Sequence, residues 1–444
     1  TFVGDSAGTD CSTGFSNTFL GQGSGAATEH ADYNTFVGYK AGWDNNRTNS
    51  TSNADRNTYL GCRAGYTNRE GEDNVGIGAF ADFTNTTRGQ NVFIGSDVDV
   101  ASNGTVAVGY STETRADYAM AIGWNAESQS QYAMAMGYNT FISGSNYSIN
   151  IGYSGITSNA AYSIAIGDDS DIDGAYTIGL GRLLVMPADS SIGIGDAANI
   201  SAEKSIGIGR SVTISNTESI GIGDQVMVSG SNSIAIGNNI TLSADNEVYI
   251  GNTATTQIGG VVNWTATSDG RFKKDVREDV VGLDFIRALR PVTYNMDLDA
   301  IDEHHDINRS AALHCAYADK AGIRYTGFIA QEVEAAAYQT DYEFSGVDAP
   351  STSDDAYGLR YAEFTVPLVK AVQELDAEVE RLKAELADRD ARISEKEDLL
   401  NKYQKTLLEL NQQQQEKDAA FIKIKARLDA MEVEVKQNSA VREV

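Results

Sequence analysis

The sequence predicts a chain that is mainly β in its N-terminal half, built as a solenoid, and α-helical at its C-terminal end, built as a coiled coil. Three observations carry this expectation. A short motif closed by glycine returns seventeen times within residues 1–251. The period stops at Gly251, and a different composition follows. An apolar heptad then runs without a slip from Leu368 to Val435.

The repeat comes first. Its closing glycines are Gly4, Gly21, Gly38, Gly61, Gly78, Gly95, Gly109, Gly123, Gly137, Gly152, Gly167, Gly181, Gly195, Gly209, Gly223, Gly237 and Gly251. The steps between them are 17, 17, 23, 17 and 17, then 14 three times, 15 twice and 14 six times. Such a period is the signature of a solenoid, one coil per copy. The cores Ile192-Gly193-Ile194, Ile206-Gly207-Ile208 and Ile220-Gly221-Ile222 alternate with period two. That alternation predicts strands, with the isoleucines on a buried face and the opposite face too confined for more than Gly or Ala. The closing glycine suits a turn with positive φ, and the Asn, Ser, Thr and Asp between motifs are turn formers. The 23-residue step around Asp44–Asn57 predicts one protruding loop. A 14-residue coil holds two strands of about five residues and two turns. It encloses too little apolar area to stand alone, so several chains are expected to share one core.

The Ser-Ile-Gly-Ile-Gly and Ser-Ile-Ala-Ile-Gly copies resemble the head repeats of the YadA-like trimeric autotransporter adhesins. The resemblance is close over residues 100–251. Residues 1–99 carry a longer variant, seen in Asn34-Thr35-Phe36-Val37-Gly38-Tyr39-Lys40-Ala41-Gly42. The resemblance implies a trimeric, left-handed parallel β-roll solenoid over residues 1–251, serving as head or shaft. Its faces are read as a spacer first and a ligand surface second. Asp168, Asp169, Asp171 and Asp173 lie in one loop. Their spacing fits no calcium loop, so they are read as solvated charge.

Charge and composition exclude several classes. The chain has 34 Lys+Arg against 62 Asp+Glu, a net charge of −28. A nucleic-acid binder needs a basic face, and none is available. Residues 1–250 hold 26 acidic and 10 basic residues. The three cysteines, Cys11, Cys62 and Cys315, are too few and too far apart for a disulfide framework or a metal site. No apolar run has the length of a membrane span, so no membrane insertion is expected. The abrupt start at Thr1 is read as a fragment or a processed form.

Residues 252–267 form a neck, in which Gln257-Ile258-Gly259-Gly260-Val261-Val262-Asn263-Trp264 is a candidate last strand. Ser268-Asp269-Gly270 then gives a turn signal. Downstream lie Gly282-Leu283-Asp284-Phe285-Ile286-Arg287-Ala288-Leu289-Arg290-Pro291-Val292-Thr293-Tyr294, then Gly327-Phe328-Ile329-Ala330-Gln331-Glu332-Val333-Glu334, and last Leu359-Arg360-Tyr361-Ala362-Glu363-Phe364 leading into Val366-Pro367-Leu368. These blocks, in this order over about residues 268–380, resemble the C-terminal intramolecular chaperone of endosialidase-type phage tailspikes, a domain shared with other fibres and with myelin regulatory factor.

The resemblance implies an α/β assembly domain over residues 268–367, which trimerises and then cuts itself off. The family's dyad is a Ser with a Lys five residues on, here Ser268 and Lys273, and the bond cut is Thr267–Ser268. A serine hydroxyl needs a base, and a lysine serves only when burial or neighbouring positive charge lowers its pKa. Arg271 and Lys274 are close enough in sequence to contribute. Asp269, Arg271 and Gln331 are given supporting roles. No cofactor is implied. His304, His305 and His314 lie in an acidic insert between the blocks and are read as a polar loop, not a metal site.

The heptad positions are Leu368, Val372, Leu375, Val379, Leu382, Leu386, Arg389, Ile393, Lys396, Leu400, Tyr403, Leu407, Leu410, Gln414, Lys417, Phe421, Ile424, Leu428, Met431 and Val435, sixteen of the twenty being apolar. This predicts a coiled coil over residues 368–444, roughly 100 Å long. Arg389 and Gln414 would set register at a cost in stability. The two resemblances set the number of strands at three.

The expected function is a homotrimeric extracellular fibre on a bacterial cell surface, adhering to a host or environmental ligand such as a glycan. A phage tail fibre or spike binding a host receptor is the alternative, and a spacer rod without its own ligand site is another. A self-processing serine peptidase with an incidental rod is the reading from a different class.

Overall fold

The computed structural model describes residues 1–47, 53–84, 86–304, 314–350 and 355–440. The centre of the predicted protruding loop (48–52) and His305 lie outside them. The chain forms two compact units, Thr1–Thr265 with Tyr294–Tyr325, and Ala266–Thr293 with Thr326–Val444.

The first unit is a parallel β-solenoid. Twenty-seven strands among the described residues join one sheet system, and each pairs with its equivalent one coil away. The register is strict: Ile192 pairs with Ile206, and Ile206 with Ile220. A coil has one long strand, such as Ile206–Arg210, and one short strand, such as Thr213–Ile214. No strand lies in residues 252–267, where Val261, Val262 and Trp264 are strongly exposed, so the expected last strand is absent. The reason is visible in the sequence: Gly259-Gly260 interrupts the alternation.

The alternation is real, but its inner and outer faces are reversed from the expectation. Gly and Ala point into the coil, and Ile192, Ile194, Ile206 and Ile208 point outward, only partly covered. The coil is too thin for two large side chains across it. Ile200 and Ile214 on the short strands, with Val212 between them, fill it from one side and are fully buried. A Cβ on Gly207 would sit 2.2 Å from the Ile200 Cδ1 atom. Where coils are 17 residues long the interior is wider. There the same position is aromatic except at Gly76, and Phe2, Phe19, Phe36 and Tyr59 stack at 4.8, 5.0 and 4.9 Å.

The closing glycine lies inside the long strand in the short coils, not in a turn. Its φ is +136° at both Gly195 and Gly209, and a Cβ on Gly195 would lie 1.8 Å from the Gly209 carbonyl oxygen. Glycine is therefore required twice over, by backbone conformation and by the coil stacked on it. The residue before each long strand has its own task. The Asn34, Asn57 and Asn74 side-chain oxygens accept the backbone N–H of Asn57, Asn74 and Asn91 at 2.8, 3.0 and 3.1 Å. Ser205 and Ser219 do the same for Ser219 and Ser233. These buried polar columns satisfy groups that would otherwise be stranded.

Two outward aromatic columns flank the long strands. Tyr118, Tyr132, Tyr147, Tyr162 and Tyr176 stack at 4.9–5.2 Å. Tyr110, Trp124, Tyr138 and Tyr153 form the second column.

The insert Tyr294–Tyr325 belongs to this unit. It contributes α2 (Leu298–His304) and α3 (His314–Ala321), after α1 (Leu283–Ala288) of the other unit. Tyr317 of α3 hydrogen-bonds Thr253, just past the last coil, and donates to Asp302 at 3.3 Å. All three residues are buried.

The second unit packs α1, α4 (Ala330–Gln339) and a 3-10 turn (Tyr361–Phe364) against the start of α5 (Thr365–Ala440). Phe285, Val333, Ala336, Ala337 and Phe364 are its core. Phe344 lies 4.9 Å from both Phe285 and Phe364. The Glu374 carboxylate of α5 accepts the Leu283 N–H at 2.7 Å, capping α1 with an anion where the helix dipole favours one. A Cβ on Gly282 would meet the Ala371 nitrogen at 2.8 Å, so the glycine permits this close approach. Beyond Ala371 the apolar stripe of α5 is uncovered: Leu382, Leu386, Ile393, Leu400 and Leu407 are each about half-exposed.

Candidate functional site

Ser268 and Lys273 are brought together by one tight turn. Asp269 caps the 3-10 turn Gly270–Phe272, its carboxylate accepting the Arg271 N–H at 2.9 Å. The turn folds the chain back, and the Lys273 Nζ donates to the Ser268 Oγ at 2.9 Å. A Cβ at Gly270 would meet nothing within 4 Å, so the outer side of the turn is open. Thr267, Ser268 and Lys273 are all solvent-exposed in the single chain.

The Asp269 side chain also grips the Arg271 guanidinium through two oxygens, at 2.6–3.1 Å. This pair holds the Asp269 carboxyl below the usual carboxylate range. Arg271 is thus neutralised by its neighbour, and its charge is not directed at Lys273. Gln331 lies exposed in the first turn of α4 and makes no hydrogen bond to Ser268 or Lys273 among the described residues. Its neighbour Glu332 instead pairs with Arg290 of the upstream block.

The sequence reading did not see that Asp269 organises the turn. The signal was present, since an Asp accepting the N–H two residues on is the usual Asx turn. Nor did it see that the histidine-bearing insert packs with the solenoid. His304 ends α2 exposed, and the His314 side chain lies outside the described residues. No group of three or more His, Cys, Asp or Glu side chains able to hold a metal occurs among the described residues. No helix among them is long and apolar enough to cross a membrane.

The segment that opens on this dyad matches a known family. Residues 268–341 fit the family model Peptidase_S74, the chaperone of endosialidase. The match begins at Ser268 and takes in the dyad, α1, the insert and α4. The Leu359–Phe364 block and α5 lie beyond it. No curated protein matches the chain. An endosialidase-chaperone segment joined to a parallel β-solenoid is the combination expected of a fibre- or spike-like protein.

Proposed function

We propose that this chain forms a homotrimeric extracellular fibre whose C-terminal part drives assembly and then severs itself before Ser268. The observation that carries this reading is the hydrogen bond from Lys273 to Ser268 at the first residue of the chaperone match. In the cleavage, Lys273 in its neutral form takes the Ser268 hydroxyl proton, and Oγ attacks the Thr267 carbonyl carbon. The Thr267–Ser268 C–N bond breaks as the nitrogen receives the proton. Water then hydrolyses the resulting ester, leaving a Thr267 carboxylate and a free Ser268 amine.

In a lone chain nothing shields Ser268 and Lys273 from water, and a lysine acts as a base only where burial or positive neighbours favour its neutral form. Burial by partner copies would lower the barrier, which ties cutting to assembly. Two apolar surfaces support the oligomer. One is the outward Ile and Val columns of the solenoid, and the other is the uncovered stripe of α5. A helix of 76 residues with no partner along its apolar face is not stable in water. Three copies in a coiled coil would cover it.

In this reading the solenoid is the adhesive part, attached to a bacterial cell surface and directed at a surface ligand. A phage tail fibre is the second reading, supported by the endosialidase-chaperone match. Intact-mass analysis and light scattering on freshly folded protein test the proposal. A trimer of residues 1–267 beside a released fragment starting at Ser268 is expected. A full-length monomer would overturn it.

A further inference from the structure

Six of the ten basic residues in residues 1–250 fall between Lys40 and Arg88. Half of them are neutralised locally. Asp44 is shared by Arg47 and Arg69, at 2.7 and 3.6 Å, and Arg56 is held by Glu72 and Asp73. Lys40 and Arg63 make no ion pair among the described residues. They occupy the same corner of consecutive coils, where Arg63 N–H donates to the Tyr39 carbonyl at 2.8 Å and Phe80 N–H to the Cys62 carbonyl at 2.9 Å. The Lys40 ammonium lies 4.4 Å from the Trp43 ring and 5.5 Å from Tyr39. The Arg63 guanidinium lies 5.3 Å from Tyr66 and 5.9 Å from Phe80. Trp43 and Tyr66 stack in parallel behind them. Tyr39 and Phe80 are 43% and 49% exposed.

We infer that this corner is a binding site for an acidic saccharide, a chain bearing hexuronate carboxylates. Two cations without carboxylate partners, on a protein of net charge −28, form a local positive spot that attracts an anion. Arg63 offers the planar fork suited to a carboxylate, and Lys40 a point charge beside it. The rings on either side favour a carboxylate fixed to a rigid ring with apolar C–H edges, over one carried on a flexible stem. The cations are one coil apart, about 4.8 Å, so neighbouring units of an extended glycan can be read in register. This proposal rests on the reading of the solenoid as the adhesive part. It does not depend on trimer formation or cleavage, which are measured separately.

The test is calorimetric titration of the full chain with galacturonate oligomers at low salt. The same oligomers after carboxyl reduction, and a polyglutamate peptide, serve as comparators. Binding of the galacturonate oligomer alone is expected, falling about tenfold or more in Lys40→Gln/Arg63→Gln, as loss of charge-assisted contacts requires. Unchanged thermal melting of that variant shows that the fold survives, and Phe80→Leu should weaken binding without altering its salt dependence. The proposal is overturned by equal binding of the reduced oligomer, by equal binding of polyglutamate, by full affinity in the double variant, or by no binding at all.

Discussion

Lys273 donates its hydrogen bond to Ser268 across a turn of only five residues, and neither side chain is sheltered from water in one chain. The geometry of the pair is local, whereas the dielectric it needs is not.

Ser268→Ala should therefore leave the chain intact, as should Lys273→Met, while both variants still trimerise. Mass spectrometry of the assembled protein reads this directly. Continued scission before residue 268 in the Ser268→Ala protein would show that another nucleophile acts. Asp269→Ala removes the turn cap and the grip on Arg271, and is expected to slow scission rather than abolish it.

Placing charge in the α5 stripe tests whether assembly gates the chemistry. Leu386→Asp with Leu400→Asp leaves the dyad untouched, yet should yield uncut monomer by light scattering and gel analysis. Arg389→Leu, which removes a polar residue from the heptad, should raise the melting temperature of the helical signal. Efficient cutting by a monomeric variant would separate the two processes.

The polar column inside the solenoid gives a stability prediction in both directions. Asn57→Ala strands the Asn74 N–H and leaves the Gly71 carbonyl with the Asn68 amide as its donor, and should cost about 1–3 kcal/mol in denaturant unfolding. Ala119 and Ala133 interrupt the column where Thr105 precedes them and Ser148 follows. Ala133→Ser supplies an acceptor for the Ser148 N–H and should gain about 0.5–1 kcal/mol.

Asp82 gives a pH dependence. Burial pushes its carboxyl up from 3.8 to about 6, even though it accepts hydrogen bonds from the Thr67 N–H and hydroxyl. Asp99, paired in register one coil on, is also raised by burial. A raised carboxyl binds its proton more tightly in the fold than in the unfolded chain, so ionisation destabilises the fold. Stability should decline as pH rises from about 4 to about 6 and then level off. Asp82→Asn should be the more stable protein at pH 7, by on the order of 2 kcal/mol, and the gap should close towards pH 4.

Much of this fold could be read from one sequence, because a strict register leaves a strict period. The seventeen glycines, the alternation at Ile206-Gly207-Ile208 and the heptad from Leu368 all reappear as coils, strands and one continuous helix. The inner and outer faces were not legible. Period two separates the sides of a strand without saying which is inside, and only the reach of Ile200 across the coil decides it. For the candidate site, the five-residue spacing of Ser268 and Lys273 was legible, as was the turn. The pairing of Arg271 with Asp269 was not, because sequence proximity to Lys273 does not say where a guanidinium points. The docking of Tyr317 on Thr253 spans 64 residues and leaves no local pattern to read.

The glycine column has a consequence for how such a protein can change. Each closing glycine from Gly4 to Gly223 fits the carbonyl of an equivalent glycine one coil further on, so coils of one length present their neighbours with the same backbone surface. Within the run of 14-residue coils, a coil is an interchangeable part. Duplication or loss of a whole coil alters the reach of the solenoid in increments of about 4.8 Å, without remaking any joint. A partial coil breaks the register at once. Length is thus set in whole units, and a whole coil can be added or lost without touching the assembly segment that follows.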